Sequence, residues 1–228
     1  MLEFIELNPQ GSEATACLFG LHGLGASGYD FLPEENDQLP FGLSEQLQLR
    51  FVFPHAPRRR ITCASYSEMR GWFDIIDITS NRTSDAVGIN QASEQVQQLI
   101  QREIDRGIPS DKIVLLGFSQ GGVIALHAGL RSKHKIGGII ALSSWLAHPE
   151  GLVQTSHKLN LATPIFLAHG TDDAMIPLSW ARESLATLLN LGCCASLTEY
   201  QMGHSLCELE LKDLNSWMSH LLGPVGTV

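Results

Sequence analysis

Residues 112–131 read KIVLLGFSQGGVIALHAGLR, and no other stretch of the 228-residue chain restricts its folding so tightly. The run KIVLLG has the apolar composition of a buried strand, and VIALHAGL that of a buried helix. Between them, Gly117-Phe118-Ser119-Gln120-Gly121 fits the pattern G-x-S-x-G. A strand that turns straight into a helix leaves no room for Cβ atoms beside the turn, and its strained backbone exposes the serine hydroxyl at the helix N-terminus. There the helix dipole and free N–H groups favour developing negative charge. The same five residues could form a merely tight glycine turn, but the apolar strand before them and the apolar helix after them point to Ser119 as a nucleophile.

Short apolar runs bounded by turn residues recur at 16–21, 51–53, 112–116, 138–142, 164–168 and 195–200. Several are apolar almost throughout, as expected of strands covered on both faces of a mainly parallel sheet. Helical spacing marks 89–106, 122–131, 178–191 and 207–222. The alternation predicts an α/β architecture, an open, mainly parallel sheet with helices on both faces and functional residues just beyond the carboxyl ends of the strands.

In folds where G-x-S-x-G forms such a strand-to-helix turn, the serine is followed in the chain by its acid and then by its histidine. The run PIFLAHG leads into Thr171-Asp172-Asp173, so the acid is Asp172 or Asp173, and spacing does not separate them. Of nine histidines only His204 and His220 follow that turn. His220 falls near the end of an amphipathic helix, whereas His204 follows a strand and the turn residues Gln201, Met202 and Gly203. His204 is therefore the candidate base, with the aspartate holding its tautomer. An acyl-transfer site also needs N–H donors for the tetrahedral oxygen, one from the residue after the nucleophile and one from an early post-strand loop. Gln120 meets the first condition, and Leu24 in Leu21-His22-Gly23-Leu24-Gly25 is the candidate for the second.

Taken in order, LHGLG, PHAP, RGWFDI, GFSQGG, HGTDDAMIP and MGH resemble the acyl-protein thioesterase and carboxylesterase family of small α/β-hydrolases, over nearly the whole chain. The resemblance implies an α/β-hydrolase fold and a serine carboxylesterase or thioesterase working through an acyl-enzyme without a cofactor. It implies Ser119 as nucleophile, selects Asp173 over Asp172 through the pattern HG-x-x-D-x-x-[VI]-P, takes His204 from the GH pair, and implies Leu24 and Gln120 as oxyanion donors. The family often has Asp-Thr after LHGLG, where this chain has Ala26-Ser27. The substrates implied are short-chain esters, lysophospholipids and S-acylated proteins.

The stretch 58–69 is polar, with Trp72 and Phe73 behind it. It is expected to form a flexible cover over an acyl groove, with Trp72 and Phe73 binding substrate; the competing reading is a solvated loop with Trp72 in the core. Arg58, Arg59 and Arg60 receive no role.

The remaining features bound the partners. A net charge of −9 without a clustered basic face argues against nucleic acid. Apolar stretches fall far below the roughly 20 residues that cross a bilayer, so no stable membrane insertion is expected. The opening MLEFIELNPQ has no basic segment followed by an apolar run, and five cysteines without a CxxC pair suit a reducing compartment, so a cytoplasmic location is expected. No HExxH or similar ligand spacing supports a metal-dependent hydrolase. No linker or repeat divides residues 1–228, which read as a single domain. An acyltransferase or a non-catalytic binding protein on the same fold are the rival functions, and the oligomeric state is open.

Overall fold

The computed structural model describes residues 1–9, 13–32, 47–77 and 85–223. Seven strands form one sheet in the order β1-β3-β2-β6-β7-β8-β9: β1 (Phe4–Leu7), β2 (Ala16–Leu21), β3 (Leu49–Pro54), β6 (Ile113–Phe118), β7 (Gly138–Leu142), β8 (Pro164–Gly170) and β9 (Cys194–Tyr200). Every neighbouring pair is parallel except edge strand β1, which runs antiparallel to β3. The helices are α1 (Ala86–Asp105), α2 (Gln120–Leu130), α3 (Pro149–Thr155), α4 (Leu178–Asn190) and α5 (Glu208–Leu222). The α/β architecture expected from the alternating runs is thus present.

The central strands are apolar throughout because the period-2 alternation of a strand sends its residues into two separate cores. Ile113 and Leu115 of β6, with Ile139 and Ala141 of β7, join one cluster beneath α1, α2 and α4. Val114, Leu116, Ile140 and Leu142 join the other, closed by Leu214, Met218 and Leu222 of α5. Helix α2 is buried along its whole length, as its uniformly apolar sequence requires. Helix α1 begins three residues before the expected 89, because the Asp85 side chain accepts the Gly88 N–H at 2.8 Å and caps the extra turn.

Two further strands, β4 (Arg58–Ile61) and β5 (Ser67–Arg70), pair antiparallel with Arg58 opposite Arg70. The stretch expected as a flexible cover is therefore a hydrogen-bonded hairpin, turning through Ser65 and Tyr66 at φ 55° and 59°. Gly71 N–H extends its ladder to Pro57 O at 3.1 Å, and it is fastened to the loop after β2 by Gly25 N–H, which donates to Arg70 O at 2.8 Å. Among the described residues no helix is long and apolar enough to cross a membrane.

Candidate active site

The carboxyl ends of β2, β6, β7, β8 and β9 deliver the segments that meet around Ser119. This serine sits between β6 and α2 at φ 52° and ψ −121°, a region that L-residues seldom occupy, and its N–H is held by Leu142 O at 2.9 Å. The glycines flanking it are obligatory. A Cβ on Gly117 would lie 2.2 Å from the Gly121 carbonyl carbon, and one on Gly121 would lie 1.9 Å from Leu21 O. Gly117 lets the chain turn back closely on the start of α2, and Gly121 lets β2 approach that helix start.

His204 arrives on the loop between β9 and α5, and Asp173 on the turn after β8. Asp173 Oδ2 accepts a hydrogen bond from His204 Nδ1 at 2.7 Å. A carboxylate oxygen only accepts, so the proton sits on Nδ1, and Nε2 is free to accept from the Ser119 hydroxyl at 3.0 Å. Asp173 Oδ1 accepts the backbone N–H groups of Met175 at 2.9 Å and Ile176 at 2.8 Å, which fixes the carboxylate plane. The Asp173 side chain is fully buried, whereas that of His204 keeps 12% of its surface exposed. The ring of Phe118 lies 4.9 Å from the imidazole. Asp172, the competing aspartate, faces solvent.

Leu24 and Gln120 fall on adjacent segments, and neither backbone N–H is engaged in a hydrogen bond among the described residues. The Leu24 loop is held by His22, which is buried. Its Nε2 accepts the Ala56 N–H at 3.0 Å, so Nδ1 carries the proton and donates to Gly23 O at 2.7 Å. Burial holds this imidazole down at about 4, opposed in part by the Gly23 bond, which keeps it neutral and its tautomer defined.

Trp72 and Phe73 are both fully buried, which matches the second of the two readings above. Their hydrogen bonds run to the turn that carries Gln120 and to the loop that carries His22. The Trp72 indole N–H donates to His22 O at 2.8 Å, while the Gln120 side chain accepts the Trp72 N–H and donates to Phe73 O, both at 2.8 Å. Phe73 packs edge-on against Trp145 at 6.4 Å between centroids. Sequence reasoning missed this use of the Gln120 side chain and of His22. It also missed Ser144, whose hydroxyl donates to Ser119 O at 2.8 Å. Only His22 carried a signal, its place in LHGLG.

Comparison with known proteins gives the family. The family model described as phospholipase/carboxylesterase matches residues 3–222. An acyl-protein thioesterase 1 of Neurospora crassa is 36% identical, over 96% of this chain and 92% of its own. One of Gibberella zeae is 35% identical, over 95% of this chain and 94% of its own. Among solved structures, Arabidopsis thaliana SOBER1 superposes with a TM-score of 0.84 at 30% identity, covering 91% of this chain and 99% of that one. The chain therefore belongs to the phospholipase/carboxylesterase family, serine hydrolases of the α/β-hydrolase fold that act on ester and thioester bonds.

Proposed function

We propose that the chain hydrolyses acyl esters or thioesters with Ser119 as nucleophile, His204 as general base and acid, and Asp173 as the group that orients and stabilises the imidazole. The observation that carries this reading is the continuous chain of hydrogen bonds from Asp173 Oδ2 through His204 to Ser119 Oγ, at 2.7 and 3.0 Å. In acylation Ser119 Oγ attacks the carbonyl carbon while its proton passes to His204 Nε2. The tetrahedral oxygen takes its hydrogen bonds from the N–H groups of Leu24 and Gln120. Collapse expels the alcohol or thiol, protonated from His204, and leaves an acyl-serine. Water, deprotonated by His204, then attacks the acyl-serine, and the acid is released.

The substrates proposed are short-chain esters, lysophospholipids and S-acylated proteins, with the relatives' name, acyl-protein thioesterase, favouring the last. The test is hydrolysis of p-nitrophenyl esters and acyl thioesters of increasing chain length by wild type and Ser119→Ala, with folding checked by circular dichroism. Loss of activity in a folded mutant is expected, and equal activity in both would overturn the assignment. Preferential transfer of the acyl group to an added alcohol or amine instead of water would replace hydrolase by acyltransferase.

A further inference from the structure

His169 lies on β8 four residues before Asp173, with its side chain fully buried against that of the acid. Its Nε2 is 2.8 Å from Ile176 O. A carbonyl only accepts, so Nε2 carries the ring proton. The same Nε2 stands 3.4 Å from Asp173 Oδ2, the oxygen that receives the His204 N–H. Nδ1 is buried and has no hydrogen-bond partner among the described residues. An imidazole that leaves one nitrogen unbonded in the interior is a poor choice for packing alone, since an apolar side chain would fill the space without that penalty. What the site uses is the single N–H.

That N–H acts at two points of one turn. It holds the carbonyl of Ile176, whose own N–H is bonded to Asp173 Oδ1. The same polar edge of the ring lies 3.4 Å from Oδ2, close enough for its partial positive charge to act there through space, and Oδ2 accepts a hydrogen bond only from His204 among the described residues. We infer that His169 is a positioning residue, which fixes the turn from Asp173 to Ile176 and tempers the charge that Asp173 presents to His204. The inference rests on the proposed reading of Ser119, Asp173 and His204.

A donor beside Oδ2 spreads the carboxylate charge and weakens its hold on a protonated His204. Without it the imidazolium is held more tightly, so a higher pH is needed to free the base. Other ionisable groups nearby are left in place by a change at 169. Asp172 is exposed on the same turn, and Glu199, opposite His169 in β9, is bound by Arg182 of α4 at 2.7 and 2.8 Å. Further along, Tyr200 of β9 donates to Asp213 of α5.

The experiment compares full-length wild type, His169→Leu and His169→Gln, since the glutamine amide can place an N–H where Nε2 stands. The Leu variant is expected to lose kcat on the order of tenfold with KM within about twofold, and to shift the acid limb of kcat/KM to higher pH. The Gln variant should recover both. If Leu does not fold, His169→Asn, whose amide falls short of Ile176, takes its place. A limb that coincides with wild type in the Leu or Asn variant, or that Gln fails to restore, overturns the inference. Titration of the His204 imidazole by NMR in the Ser119→Ala background gives the same comparison without catalysis. Failure of the nucleophile assignment is thereby told apart from failure of the role given to His169.

Discussion

The side chain of Gln120 is bonded at both ends to the backbone of the Trp72 segment, accepting the Trp72 N–H and donating to Phe73 O at 2.8 Å each. The residue that follows Ser119 is thus tied to the segment after β5, which is itself tied to the Leu24 loop through the Trp72 indole and His22 O. Gln120→Ala leaves a buried donor and a buried acceptor without partners, each costing about 1–3 kcal/mol. A loss of about 2–6 kcal/mol in urea unfolding is expected, together with a fall in kcat. Unchanged stability would mean that the segment relaxes freely.

Gly121→Ala tests the contact between β2 and the start of α2. A Cβ there would sit 1.9 Å from a backbone oxygen, which cannot move aside as a flexible side chain could. The cost should reach or exceed about 3 kcal/mol, the upper end for overpacked sites. The expected outcome is loss of soluble, folded protein, or a folded variant without esterase activity, read by expression yield and circular dichroism.

At the opposite end of the sheet, the fully buried Glu103 carboxylate meets Arg50 at 2.6 Å and also contacts Arg102 and Arg106. Glu103→Ala removes the partner shared by three cations and should cost about 3 kcal/mol, the lower end for a broken buried ion pair. Esterase activity below the melting temperature should be unchanged, because the cluster lies far from Ser119. Glu6 joins the same cluster, and its hydrogen bond from Arg106 leads the causes that hold its carboxyl at about 2, down from 4.5. A depressed carboxyl contributes stability above its unfolded value, and that stability is lost as the pH falls from about 4.5 towards 2. Glu6→Gln should flatten the Tm against pH curve in that window.

Glu210 in the first turn of α5 behaves in the opposite sense. Its side chain is buried, and neither carboxylate oxygen has a hydrogen-bond partner among the described residues. Burial pushes its carboxyl up to about 7 from 4.5, and the nearby Cys207 backbone offsets this only in part. The folded state then favours the protonated form, so a destabilising contribution grows as the pH rises from about 4.5 through 7 and is complete above it. Glu210→Gln should raise Tm at pH 8 and leave it nearly unchanged at pH 4.5. Equal Tm shifts at both values would rule out this account.

The elements most legible in the sequence were the strands buried on both faces and the helices with a clear apolar run or stripe. Strands β2, β6, β7 and β8 and helices α2 and α4 fall close to where their apolar runs put them, because burial on both faces of a parallel strand leaves an uninterrupted signal. Strand β4 reads RRRI and carries no such signal; its pairing with β5 supplies what its composition does not. Helix α3 is short and contains a glycine, and β1 has four half-buried residues, so neither stands above the background. Trp72 and Phe73 were equally compatible with a groove and with the core, since an aromatic pair behind a polar stretch suits both.

By itself the sequence determined the strand, turn and helix around Ser119, because the glycines at 117 and 121 and the apolar runs beside them act over a few residues. Spacing left Asp172 and Asp173 open and the family pattern selected Asp173; only the tertiary structure shows why that aspartate meets His204, and that the imidazole lies within 3.0 Å of a serine 85 positions away. Asp172 and Asp173 are chemically identical neighbours, yet only Asp173 is turned inward, where two backbone N–H groups hold Oδ1 and leave Oδ2 to the histidine. That choice depends on the parallel register of β6, β7, β8 and β9, which brings distant turns to one edge of the sheet, and no local preference of the chain encodes it.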